Sequence, residues 1–462
     1  MMRQVIPSAG RRMYLPDKES RILYRSFKKI FLLCEAIIRK PYQTGRACIA
    51  YRQTMNRFAL AILTSLLSMG NTFGLHAADH KDRTRKVVHL LEADFRPGNV
   101  FQTHAFFEGE NASQQPILQM LSGHLKYGFR FTPETYFGKR YPYAIQGIGI
   151  GYNTFHNRQE LGNPLSVYVF QSSRIARLAP RLSLDYEWNF GASFGWKEYN
   201  ETTNPYNIVV GSPINAYIHL EFLLNWQLAA HSYLRAGVGV SHYSNGNSNY
   251  PNAGVNTVEA SIGFIRTFGQ EEQHLTPGKG GAGYRHRHPF KPYINYDLIF
   301  YGATRKKGIF PEAHRGMLVP GIFAIGGMNF NPLYNFNKYF RAGLSLDAQY
   351  DESANILEHI ANEEIPSQSD ELKFYRPPFK DQFSVGLSLR TEIVMPIFSI
   401  NLGIGKNFIY HGKDTRSFYQ VFVLKTNLSK RFFLHTGYQL YRFKDPNNLM
   451  LGIGFRFNEK RR

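Results

Sequence analysis

The chain has 462 residues, with 55 Lys and Arg against 34 Asp and Glu and a formal net charge of +21. It is rich in Phe, Tyr and Gly, holds only 2 Cys, and has no continuous apolar run of about 18 residues after residue 80. Those features exclude a helical membrane protein, and no long segment carries the i, i+3, i+4 apolar spacing of a soluble α/β enzyme.

Much of the positive charge lies at the start. Residues 1–54 carry 12 Lys and Arg against 3 Asp and Glu, so the basic balance belongs to a leader and no nucleic-acid partner is expected. This leader is read as untranslated or disordered. Residues 55–78 follow as a Sec signal peptide: Met55 and Arg57 form the basic start, Phe58 to Met69 the apolar core, and Leu75-His76-Ala77 the cleavage site. Cys34 and Cys48 both precede Met55, so an exported chain has no thiol for a disulfide, a zinc site or a nucleophile.

From about residue 85 the hydrophobic pattern has period two. In "RLSLDYEWNFGASFGW" (181–196), Leu182, Leu184, Tyr186, Trp188, Phe190, Ala192, Phe194 and Trp196 share one face. Arg181, Ser183, Asp185, Glu187, Asn189 and Ser193 share the other. A strand this long, apolar outside and charged inside, suits a tilted membrane span of about 9–11 residues better than a sandwich strand of about 5–6. "IHLEFLLNWQL" (218–228), "RAGLSLDAQY" (341–350) and "FSVGLSLRTEI" (383–393) repeat the pattern. The expected fold is an all-β antiparallel transmembrane β-barrel of about sixteen strands, eight before residue 269 and eight after 289. With a periplasmic N-terminus, the long connections 97–121, 197–214 and 351–377 fall outside, and short ones such as 229–231 and 428–430 inside.

One inside connection, "GQEEQHLTPGKGGAGYRHRHP" (269–289), is long. It divides a first half, 79–269, from a second, 290–462, with 270–289 as linker. The halves end alike, "LRAGVGVSHY" against "LHTGYQLYRF" and "IGFIRTF" against "IGFRF", which points to an internal duplication. Two eight-stranded barrels and one of sixteen both fit. The linker histidines His274, His286 and His288 are read as a solvated hinge, and no metal is expected.

The seventh strand of the first half places Leu234, Ala236, Val238 and Val240 toward lipid. His242 and Ser244 continue that row at the extracellular end, near enough to interact; a serine becomes nucleophilic when a neighbouring base takes its proton. On the eighth strand Asn256 shares the lipid side, while Glu259 points to the lumen with Thr257 and Ser261. Asn256 is therefore the expected orienter of His242. The Asn245 amide and the backbone N–H of Ser244 or Gly246 are the candidate oxyanion donors, and Gly246 and Tyr243 the expected substrate contacts.

His242-Tyr243-Ser244-Asn245-Gly246, followed by Pro251-Asn252-x-Gly254-x-Asn256, resembles the signature of the PagL-type lipid A 3-O-deacylases, also called acyloxyacyl hydrolases. The resemblance implies an eight-stranded outer-membrane barrel with a Ser–His pair on its outer wall. It also implies cofactor-free removal of the ester-linked 3-hydroxyacyl chain at position 3 of lipid A. The family's His falls on His242, its Ser on Ser244 and its supporting Asn on Asn245; its acid, usually Glu, falls on Asn256. The resemblance is sharp over 234–268, fits in length over 79–269, and does not reach the second half. There Arg442 stands in register with His242 with no Ser two residues later, so that half is expected to be non-catalytic. The implied partners are lipopolysaccharide (lipid A), the bacterial outer membrane and the barrel assembly machinery. Two other readings stand beside it: a porin or adhesin with a decayed motif, and an esterase or phospholipase of other substrate range.

Overall fold

The computed structural model describes residues 87–268, 290–309, 317–361, 373–416, 418–441 and 445–459. The leader, the signal peptide, both cysteines, the linker histidines and Arg442 lie outside the described residues.

Two closed antiparallel barrels of eight strands each form the molecule, which settles the closure in favour of two. The first runs β1 (Val87–Val100), β2 (Gln119–Phe131), β3 (Ile145–Thr154), β4 (Gly162–Ala179), β5 (Leu182–Trp196), β6 (Ile214–Ala229), β7 (Ser232–Ser244) and β8 (Val255–Phe268), with β8 paired back onto β1. The second opens with β9 (Tyr293–Arg305), adds a two-residue hairpin of β10 (Gly308–Ile309) and β11 (Met317–Leu318), and continues through β12 (Phe323–Asn335) and β13 (Phe340–Asp351). It is completed by β14 (Phe383–Val394), β15 (Phe398–Ile409), β16 (Phe418–Asn427), β17 (Phe432–Tyr441) and β18 (Asp445–Phe457), which closes on β9.

Alternation decides what each barrel encloses. On β6, Leu220, Phe222, Leu224 and Trp226 are exposed on the outer wall, whereas His219 and Glu221 are buried inside. The first barrel's interior charges pair with one another. The Lys126 ammonium lies 2.7 Å from Glu187 and 3.0 Å from Glu92, and the Arg235 guanidinium 2.8 Å from Glu187 and 2.9 Å from Glu92. Toward the end that carries the β7–β8 connection an aromatic cluster that includes Phe106, Phe155, Trp196, Tyr217 and Tyr243 fills the bore. The second barrel repeats the scheme, with Lys425 bridging Asp297 at 2.9 Å and Glu392 at 2.6 Å. Closing the sheet satisfies the strand backbones, and the charges of these clusters persist in the bore because they face partners of opposite sign.

Two details depart from the sequence reading. Trp196 does not stay on the lipid side with Phe194. Gly195 adopts φ +88°, which breaks the alternation and turns the indole inward, where its Nε1 donates to Ser193 Oγ at 2.8 Å. The inside connection 132–144 is also longer than the rule for periplasmic turns, and carries a one-turn helix, Tyr136–Arg140.

The barrels belong to one compact unit. Trp188 faces out from β5 but is buried with Met395, Phe398 and Leu424 of the second barrel, its ring edge-on to Phe398 at 5.2 Å. At the end opposite the β7–β8 connection, the Tyr141 hydroxyl donates to the Lys338 carbonyl at 2.9 Å.

Candidate active site

The last residues of β7 and the first of β8 build the site. His242 is the cross-strand partner of Asn256, and Ser244 follows His242 by two residues on the same outer face. A single hydrogen-bonded row results: Ser244 Oγ lies 2.9 Å from His242 Nε2, and His242 Nδ1 lies 2.7 Å from Asn256 Oδ1. An amide oxygen only accepts, so Nδ1 carries the proton and Nε2 presents its lone pair to the serine hydroxyl. Ser244 is buried, His242 and Asn256 are half-buried, and the exposed Val238 and Val240 continue the row toward the membrane interior.

The β7–β8 loop is built around Asn245. Its carboxamide nitrogen donates to the Asn249 carbonyl at 2.9 Å, its Oδ1 accepts from the Asn249 N–H at 3.3 Å, and its own carbonyl accepts from Ser248 Oγ at 2.8 Å. The Asn245 N–H donates to Asn252 Oδ1 at 3.0 Å. Asn245 therefore holds the turn, and its amide is engaged there. The sequence reading overlooked Asn252, although it stands in the quoted motif. Its Nδ2 is buried and has no hydrogen-bond partner among the described residues.

Tyr243 requires a correction. Lying between His242 and Ser244, it points into the bore, 2% exposed, with its hydroxyl donating to Asn153 Oδ1 at 3.1 Å. It packs the aromatic cluster and does not line the outer wall. Glu259 is also inside, accepting from Thr257 Oγ1 at 2.6 Å. Gly246 stays at the site with φ +63°. Among the described residues no cluster of three metal-binding side chains occurs.

A family model described as lipid A 3-O-deacylase (PagL) matches residues 175–264, and a second, described as the acyloxyacyl hydrolase C-terminal domain, matches 294–459. The chain belongs to the PagL family. Like its family it is an ester hydrolase, an outer-membrane barrel of the lipid A deacylase class. The likeness to the PagL family also extends beyond the first half, because the second barrel is matched by a C-terminal domain of the same family.

Searches with this PagL-family chain find no match among curated proteins. Among solved structures, Neisserial surface protein A is similar at 10% identity over 39% of this chain and 97% of that one, with a TM-score of 0.26. The siderophore receptor PirA of Pseudomonas aeruginosa is similar at 10% identity over 82% and 81%, with a TM-score of 0.23. Omp33 of Acinetobacter baumannii gives 6% identity over 81% and 99%, at 0.14. Scores this low add nothing to the fold seen directly.

Proposed function

We propose that the protein removes an ester-linked 3-hydroxyacyl chain from lipid A in the outer leaflet by a Ser–His mechanism. The observation that carries the reading is the contiguous row Ser244–His242–Asn256 at the outer end of the lipid-facing wall. A lipid's ester lies at the headgroup–acyl boundary, so its carbonyl can reach Ser244 while the chain stays along the apolar face below.

In this mechanism Ser244 Oγ bonds to the acyl carbon as His242 Nε2 takes its proton. The carbon–oxygen bond to the sugar then breaks, and His242 returns the proton to the departing alkoxide. Water, activated by the same nitrogen, releases the 3-hydroxy fatty acid and restores the serine. Asn256 holds the imidazole in the required tautomer, without the charge a carboxylate would add. The Asn252 carboxamide and the Gly246 N–H serve as oxyanion donors, a part supported by the unpartnered Asn252 Nδ2. Asn245 supports them by shaping the turn, and Gly246 adjoins the bound ester. Among its described residues the second barrel shows no hydrogen-bonded Ser–His pair like that of the first, and it is proposed to be non-catalytic in the chemical sense. Export through residues 55–78 and insertion by the barrel assembly machinery complete the proposal.

Mass spectrometry of lipid A from cells expressing the wild type and Ser244→Ala tests it. The wild type should yield lipid A lighter by one 3-hydroxyacyl chain, and the variant the unmodified species. Unchanged acylation in both, or loss of phospholipid acyl chains instead, contradicts the assignment. A porin reading is disfavoured by a bore filled with paired charges and aromatic rings.

A further inference from the structure

On β17 of the second barrel Phe433, His435 and Gln439 are buried toward the bore, while Leu434 is exposed on the outer wall. Tyr438 shares the outer face with Leu434, yet it is only 7% exposed. The first barrel's site covers it. A Cβ at Gly246 would fall 2.0 Å from Tyr438 Cε1, 2.9 Å from Cδ1 and 3.0 Å from Cζ, which sets the hydroxyl end of the ring beside the loop that follows Ser244 and near the Ser244 side chain. Further ties hold the β7–β8 loop against the second barrel: the Lys306 N–H donates to the Ser248 carbonyl at 2.8 Å, and Asn247 Nδ2 to the Asn447 carbonyl at 3.2 Å.

We propose that Tyr438 is a positioning residue for Ser244, supplied across the barrel–barrel interface, so that the second barrel completes the site of the first. The inference rests on the Ser–His reading above. A serine hydroxyl has one proton and three staggered rotamers, of which only one aims that proton at His242. In the proposed arrangement the Tyr438 phenol O–H donates to Ser244 Oγ, which would occupy a lone pair and leave the serine proton directed at Nε2. It also fills the place a water would otherwise take beside the nucleophile. Gly246 fits this arrangement, because any side chain there would displace the ring. A lipid-facing site on a single barrel lies open to the bilayer on every side; here one side is closed by protein.

The test compares full-length wild type, Tyr438→Phe, Phe398→Ala and Ser244→Ala in detergent micelles with lipid A as substrate. Folding of each is checked by its heat-dependent gel mobility. Tyr438→Phe keeps the ring and removes only the hydroxyl. Its kcat should fall by about ten- to a hundredfold, with KM within about twofold, as expected when a reacting group is merely misaimed. Phe398→Ala loosens the distant barrel contact and should leave kcat within about twofold. A Tyr438→Phe enzyme with wild-type kcat beside an inactive Ser244→Ala overturns the positioning role and leaves the Ser–His reading intact. So does an equal loss in Phe398→Ala, which would make the effect one of general packing. A Tyr438→Phe enzyme whose loss lies in KM also overturns it, because the contact would then be with substrate. An active Ser244→Ala enzyme overturns the Ser–His reading itself.

Discussion

In the proposed mechanism His242 acts as a base only while Nδ1 is held protonated, a state that Asn256 favours with a neutral acceptor at 2.7 Å. Asn256→Leu should lower kcat by about a hundredfold, because the imidazole loses both its tautomer and its orientation. Asn256→Glu should raise kcat by up to about tenfold, the worth of ~1.4 kcal/mol of added stabilisation for the imidazolium. Steady-state kinetics on purified lipid A separates these outcomes, and a Glu variant slower than wild type would show that the site is built for the amide. Asn252→Leu removes the unpartnered amide proposed as an oxyanion donor and should lower kcat by about 10²–10³-fold with little change in KM.

The hairpin of β7 and β8 is the element that makes this row possible, and its register is what must be kept. A slip of one residue would send His242, Ser244 and Asn256 into the bore and bring Tyr243 and Glu259 to the lipid. The apolar row below the site anchors that register, since Val238 is 61% exposed on a wall that faces acyl chains. Val238→Arg should destabilise the barrel by about 2–4 kcal/mol, as for a cation at mid-bilayer depth. Denaturant unfolding in lipid vesicles reads this as a lower midpoint. An arginine at Val238 tolerated without loss would mean that this face is not against lipid.

For the whole molecule, each barrel depends on a charged core that no single strand can neutralise. Glu187 accepts from Lys126 of β2 and Arg235 of β7. Glu187→Ala should therefore cost about 3–5 kcal/mol, because two cations are left in the bore with less counter-charge. The unfolding midpoint should fall accordingly, whereas a near-neutral result would indicate that water enters the bore and solvates them. The contact at Trp188 and Phe398 and the loop ties near Ser248 join the two barrels to each other.

Period-two alternation was enough to determine strands, lipid and lumen faces and the membrane class, because side-chain direction in a strand depends only on parity. The same parity placed His242, Ser244 and Asn256 together and sent Glu259 inside. Local information ended where the chain departs from parity or leaves its own hairpin. The inward turn of Trp196 depends on the positive φ of Gly195, and the engagement of Asn245 on a loop closed by its own side chain. Two barrels rather than one, the burial of Trp188 and the approach of Tyr438 to Ser244 were decided by tertiary structure alone. Each joins residues far apart in the chain on faces that, read strand by strand, look the same as any wall turned to lipid.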